Sequence, residues 1–249
     1  MFTETWLIPT PDGTADAFAA FPDRDSRHPA VLLYMDAFGP RPELERKARE
    51  LASHGYYVLV PNVFYRSGPA PVVDLPEHID EASRPVLFET LWPLIEAHTA
   101  ERALRDADAY LAFLAERAEV ADGPVAAVGY CMGAALALRT AAAHPDRVAA
   151  VAGFHPAALV TEAPDSPHRR FSEIAGEIHL GLAEGDMTPE SLDALEQALT
   201  TAGGTASAEI YPDTIHGFTM SDTSAFDAKG LERHWERLLP LLERALGKG

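Results

Sequence analysis

The sequence predicts an α/β fold, a doubly wound and mainly parallel sheet with helices on both faces, and three observations carry that prediction. Short runs such as Val31-Leu32-Leu33-Tyr34-Met35 and Val125-Ala126-Ala127-Val128 are apolar throughout, as strands covered on both faces require. Between such runs lie stretches with apolar residues at helical spacing, so strand and helix alternate from residue 30 onward. The length of 249 residues suits one large core, without internal repeat or low-complexity tract, and 1–249 reads as a single domain.

The elements follow in order. Residues 2–22, with Ala17-Phe18-Ala19-Ala20-Phe21, read as one or two antiparallel edge strands. After the run at 31–35, a helix begins at Pro42, buries Leu44, Ala48 and Leu51, and stops near Gly55. Tyr56-Tyr57-Val58-Leu59-Val60 is the next strand. Residues 63–98 break the alternation: five prolines and the aromatics Phe64, Tyr65, Phe88 and Trp92 make too long a stretch for a simple connection, and they read either as a partly helical cap over one end of the sheet or as an irregular surface excursion. A helix over 100–119 buries Leu104, Ala107, Leu111 and Leu114. Strands at 125–128, 148–154, 178–182 and 208–211 complete the series. A helix with Leu192, Leu195 and Leu199 separates the last two, and a closing helix with Leu231, Trp235, Leu238 and Leu242 is expected to bend or break at Pro240.

The formal charge of −18 argues against phosphate backbones and anionic membranes as partners. Met1-Phe2-Thr3-Glu4-Thr5-Trp6 has no basic region followed by an apolar stretch, and no apolar run approaches a membrane span, so a cytoplasmic location is expected. A single cysteine excludes an intramolecular disulfide and a cysteine-based zinc cage. No histidine pair has zinc-binding spacing, so neither metal nor cofactor is expected.

That cysteine stands in Gly129-Tyr130-Cys131-Met132-Gly133, between the 125–128 strand and the helix formers of residues 134–143. A tight strand-to-helix turn presents a nucleophile in this way, and flanking glycines relieve crowding against strand and helix. A thiol at a helix N-terminus also meets the positive end of the macrodipole, which favours thiolate. An inert, buried cysteine is the competing reading of the pentapeptide taken alone.

A nucleophilic thiol needs a base, and the base an orienting acid. In a doubly wound sheet such partners come from the carboxyl ends of strands. After the 178–182 strand come Ala183-Glu184-Gly185-Asp186, and after the 208–211 strand Pro212-Asp213-Thr214-Ile215-His216-Gly217-Phe218. The order Cys131, Asp186, His216 is that of nucleophile, acid and histidine in α/β-hydrolases. Glu184 and Asp213 compete for the acid role, and Asp186 has the alternative of capping the helix that starts near Pro189. His155, after the 148–154 strand, is a substrate-contact candidate. His54 and His144 read as helix C-terminal caps, His179 as a core residue, and His28, His78, His98, His168 and His234 as exposed. The main-chain N–H groups of Met132 and Ala37 are the expected oxyanion donors. In Met35-Asp36-Ala37-Phe38-Gly39, Asp36 could accept the thiol proton or hold the thiol at rest, with an ordinary Asx-turn as the alternative. Phe38, Tyr130, Arg84, Trp92 and Phe218 complete the thiol-orienting and substrate-contact candidates.

With these residues in place the chain resembles the dienelactone hydrolase family of α/β-hydrolases from about Ala15 to Leu246. The resemblance rests on Gly129-Tyr130-Cys131-Met132-Gly133, Asp186, His216-Gly217-Phe218, Asp36-Ala37-Phe38-Gly39 and Val60-Pro61-Asn62. It implies an α/β-hydrolase fold, a triad of Cys131, His216 and Asp186, and metal-free hydrolysis of a small ester or lactone through a thioester. Departures bear on the substrate. Asp36 stands where the family usually has glutamate, and Ala134 where a further glycine is frequent. Thr219-Met220-Ser221 lacks the arginine that holds a substrate carboxylate in dienelactone hydrolases, which leaves Arg66, Arg84, Arg169 and Arg170 as replacements or, equally, a less charged ester or lactone as the substrate. The other reading keeps the scaffold but uses Cys131 as an oxidisable thiol in a redox or ligand-binding protein.

Overall fold

In the computed structural model, which describes residues 1–247, eight strands form one sheet. They are β1 (Phe2–Thr10), β2 (Gly13–Phe21), β3 (Ala30–Tyr34), β4 (Tyr57–Pro61), β5 (Val125–Tyr130), β6 (Val148–Phe154), β7 (Glu177–Ala183) and β8 (Ala206–Tyr211), in the order β1-β2-β4-β3-β5-β6-β7-β8. β1 and β2 form an antiparallel hairpin, and β2 runs antiparallel to β4. All later pairings are parallel. The strands β3, β4 and β5 are buried at every position, the physical counterpart of their uninterrupted apolar runs.

Six α-helices accompany the sheet: α1 (Pro42–Ser53), α2 (Ser83–Ala97), α3 (Ala100–Ala115), α4 (Met132–Ala143), α5 (Pro189–Thr200) and α6 (Ala228–Leu246). The register shows how they divide between the faces. Tyr34 of β3 is level with Gly129 of β5, so both point to the same side, and there the Tyr34 hydroxyl meets Thr140 of α4 at 2.8 Å. Tyr130, one residue on, points to the opposite side. Its hydroxyl meets His234 of α6 at 2.9 Å and its ring lies under the Lys47 ammonium of α1. Helices therefore cover both faces of the sheet.

Two expected helix ends differ. α3 stops at Ala115, because the chain turns through residues 116–119 so that Val120 can bridge to His28 beside the sheet. α6 continues through Pro240 to Leu246 without a break. Pro240 and Glu236 are both exposed, so the carbonyl that loses its helical donor is available to water.

Residues 63–98 contain one 3-10 turn and α2. α2 and the chain leading to it make a small second apolar cluster, in which Ile79 and Leu91 pack with Phe38. Ile79 also bridges to Thr223, with Ile79 N–H donating to the Asp222 carbonyl at 2.8 Å. The segment is thereby tied both to the loop after β3 and to the loop after β8. Among the described residues, no helix is long and apolar enough to cross a membrane.

Candidate active site

Cys131 occupies a sharp turn between β5 and α4 with φ 54° and ψ −119°, a conformation that costs a non-glycine residue about 1–3 kcal/mol. Surrounding contacts hold it there. Cys131 N–H donates to the Phe154 carbonyl at 3.1 Å, and the Cys131 carbonyl accepts from Ala157 N–H at 3.1 Å. The glycines have a packing reason as well. A Cβ on Gly129 would lie 2.0 Å from the Gly133 carbonyl oxygen, and one on Gly133 would lie 2.4 Å from that of Met35. The first turn of α4 thus rests directly on β5 and on the end of β3.

This close approach brings Met132 and Ala37, the expected oxyanion donors, to the same end of the sheet. Among the described residues neither main-chain N–H has a protein acceptor. For Met132 that is the ordinary state of a first helical N–H.

His216 and Asp186 come from the loops after β8 and β7. His216 Nδ1 and Asp186 Oδ2 are 2.7 Å apart, which leaves the other ring nitrogen free for a second partner. The competing carboxylate is committed elsewhere, since Glu184 accepts the Asp213 N–H at 2.7 Å. Asp186 is also not the cap of α5: Thr188 accepts the Ser191 N–H in that role. Burial disfavours a charge on His216, but the hydrogen bond to Asp186 and the interaction with the Cys131 sulfur outweigh it and push His216 from 6.5 up to about 10.

A histidine raised on folding contributes stability that is fully present below its unfolded value of about 6.5 and lost as pH rises through about 10. The difference in unfolding free energy between the wild type and His216→Gln should therefore shrink from pH 6.5 to pH 10 in urea titrations. A pH-independent difference would contradict it.

Cys131 and His216 share a narrow cleft with Asp36, Ala37, Phe38, Arg84, Phe88 and His155. It holds about 10 Å³, room for roughly one water. Phe38, Phe88 and Arg84 crowd together there: the Arg84 guanidinium lies 5.8 Å from the Phe38 ring and 5.5 Å from the Phe88 ring. No carboxylate pairs with Arg84 among the described residues, although it borders the cleft of a strongly acidic chain. A larger cavity of about 630 Å³ lies between the start of α1 and residues 70–77, but Cys131, Asp186 and His216 do not border it.

Other candidates fall differently. Asp36 borders the cleft, yet Arg41 grips its carboxylate at 2.6 and 2.9 Å, and the Phe38 N–H donates to it at 3.1 Å. Arg41 also bonds Asp222, so Asp36 belongs to a buried ionic cluster rather than standing free to orient the thiol. Tyr130 is wholly buried and directed to His234 and Lys47, away from the cleft. Phe218 is buried against Tyr211 and His155 and does not line the cleft. Trp92 stays 54% exposed, tilted at 50° against the Phe88 ring and outside the cleft. His155 is fully buried at the cleft wall. His28 and His234, expected at the surface, are buried, because the bridge to Val120 encloses the first and α6 turns the second onto Tyr130. Of the arginines, Arg66 is committed to Asp12 and Asp106, Arg170 to Glu173, and Arg169 is exposed, so Arg84 alone borders the cleft.

Sequence reasoning missed Phe88, Arg41 and Lys47. Phe88 had a usable signal, four residues beyond Arg84 and hence on the same helical face. The buried Arg41 and Lys47 had none, because a basic residue just before a helix or on its surface ordinarily faces solvent.

A strand-to-helix turn carrying a thiol between glycines, followed by an acid and a histidine at later strand ends of this sheet, is the arrangement of an α/β-hydrolase. The sequence model of the dienelactone hydrolase family matches residues 15–246, and the chain belongs to that family of ester and lactone hydrolases. A carboxymethylenebutenolidase of Rhodococcus opacus is 28% identical over 224 residues, covering 88% of this chain and 82% of its own. A protein of Escherichia coli K12, provisionally named a carboxymethylenebutenolidase, is 26% identical over 97% of this chain and 86% of its own. The fold is shared with a crystal structure from Klebsiella pneumoniae provisionally named a dienelactone hydrolase, at TM-score 0.83 and 19% identity, over 98% of both chains.

Proposed function

We propose that the protein hydrolyses a small ester or lactone bearing an anionic group near the scissile carbonyl, through a thioester on Cys131. The observation that carries this reading is the 2.7 Å bond from His216 to Asp186 beside Cys131. Asp186 holds the Nδ1–H of His216 and stabilises its charged form. With the proton already resting on His216, Cys131 attacks the carbonyl carbon as the thiolate. The oxyanion accepts from the free N–H groups of Ala37 and Met132. As the tetrahedral intermediate collapses, the carbon–oxygen bond breaks, and His216 returns the proton to the departing alcohol oxygen. Water, deprotonated by His216, then attacks the thioester, releases the acid and restores the thiol.

Arg84 supplies the preference for an anion. It is a guanidinium held by aromatic faces and left without a carboxylate, at the cleft of a strongly acidic protein. It is the arginine to which we assign the carboxylate-binding role that Thr219-Met220-Ser221 leaves without one. Family membership favours hydrolysis over the oxidisable-thiol reading.

Rapid quenching with small aryl esters, followed by mass spectrometry, tests the proposal. The expected product is an acyl group on the peptide containing Cys131. Turnover without that adduct, or an oxidised sulfur without turnover, would refute it. In the same series Arg84→Gln should raise KM for a carboxylate-bearing ester about tenfold, the scale of one lost charge-assisted hydrogen bond. A neutral ester should be almost unaffected.

A further inference from the structure

Beneath Cys131 and His216 runs a buried chain of polar groups that the hydrolytic steps leave unused. Lys47 and Glu43 of α1 are both 3% exposed, and Lys47 Nζ lies 3.2 Å from Glu43 Oε1. The Lys47 ammonium also donates to the Thr219 carbonyl at 2.6 Å. Thr219 Oγ1 in turn is 2.8 Å from His155 Nε2, and the His155 ring stands edge-on to the His216 ring with centroids 5.4 Å apart.

The same helix grips the segment after His216 at two further points. Glu43 accepts from the Ser221 hydroxyl at 2.5 Å, and Arg41, immediately before α1, bonds Asp222 at 2.6 Å. Desolvating a lysine and a glutamate costs several kcal/mol, and apolar residues of similar volume commonly give equal stability. What an apolar pair does not offer is a directed bond to one particular carbonyl. The pair is therefore suited to setting position.

We propose that Lys47, paired with Glu43, is a positioning residue for His216: it fixes Thr219, Thr219 orients His155, and His155 keeps the His216 ring aligned between Asp186 and Cys131. This rests on the reading of His216 as the base. Burial holds His155 neutral, so its ring can pack against a charged His216 without adding a second cation. The ionisable groups around His216 are then Asp186, Cys131, neutral His155 and, across the cleft, Arg84 and the Arg41-bound Asp36.

The test compares Thr219→Val, Thr219→Ser and Lys47→Met with the wild type. Ester hydrolysis gives kcat and KM, and NMR of the histidine ring gives the titration of His216. Thr219→Val and Lys47→Met should each lower kcat about tenfold with KM nearly unchanged, as expected for misalignment of a reacting group. Both should also move the His216 midpoint down from about 10. Thr219→Ser, which keeps the hydroxyl, should restore both quantities. If Lys47→Met does not fold, Thr219→Val decides, since it preserves volume and the main-chain bond. Unchanged kcat and titration in folded Thr219→Val would overturn the positioning role. His216→Gln, measured alongside, separates the failures: full activity there removes the hydrolytic reading itself, whereas activity lost there but intact in Thr219→Val removes only the role of the chain beneath.

Discussion

Replacing Cys131 by alanine is expected to reduce ester hydrolysis by about 10⁴- to 10⁶-fold in kcat, the range seen when a hydrolase nucleophile is removed. The fold should survive. Cys131 is partly exposed, its main-chain bonds to Phe154 and Ala157 need no side chain, and alanine at φ 54° bears a strain similar to that of cysteine. Initial-rate assays and a thermal melt, run on the same preparation, check both halves. A folded variant that kept more than about one hundredth of the wild-type rate would be incompatible with a Cys131 thioester. What remains after the substitution should reflect the Ala37 and Met132 donors, which can still polarise a bound carbonyl for attack by water.

The largest effect on stability is expected from Gly129→Ala. Its Cβ would be 2.0 Å from the Gly133 carbonyl oxygen and 2.5 Å from Ala134 N, both main-chain atoms of the α4 first turn. No side-chain rotation relieves such a clash, so α4 or β5 must shift. A loss of more than about 3 kcal/mol is expected, at the upper end of overpacking penalties. For a chain of this size that lowers Tm by about 6–12 °C. Gly39→Ala is the control. Gly39 has φ +86° but open space around its Cβ position, so it should lose only about 1 kcal/mol from backbone strain. Equal melts for the two variants would show that the elbow is not so tightly packed. Activity should fall in Gly129→Ala even where it stays folded, because displacement of α4 moves Cys131 and the Met132 N–H together.

Most of the sheet was legible in the chain. Strands β3 to β6 are apolar runs, β7 and the more exposed β8 are shorter apolar signals interrupted by polar residues, and the hairpin of β1 and β2 was marked by its failure to fit the alternation of strand and helix. The helix end at Ala115 was less legible, because residues 116–119 continue a helical composition and only the bridge from Val120 to His28 draws them away. Pro240 erred in the opposite direction. The sequence records the missing N–H, whereas the exposure of Glu236 that makes it tolerable depends on where α6 lies.

The site divides along the same line. Gly129, Cys131 and Gly133 are neighbours in the chain, and a turn so tight leaves little choice of residue, so the candidate nucleophile could be read locally. The strand-end positions of Asp186 and His216 followed from the alternation of elements. Which carboxylate faces His216 was decided by packing, since Glu184 and Asp186 differ by two positions and only the fold turns Glu184 to the Asp213 N–H. The same holds for Arg84, which is unpaired because the cap sets it among Phe38 and Phe88, and for Asp36, which Arg41 captures. Periodicity reports how deeply a residue is buried and on which face. It carries no record of the partner that a charged side chain meets from a distant part of the chain, and that partner determines whether the charge is available to a substrate.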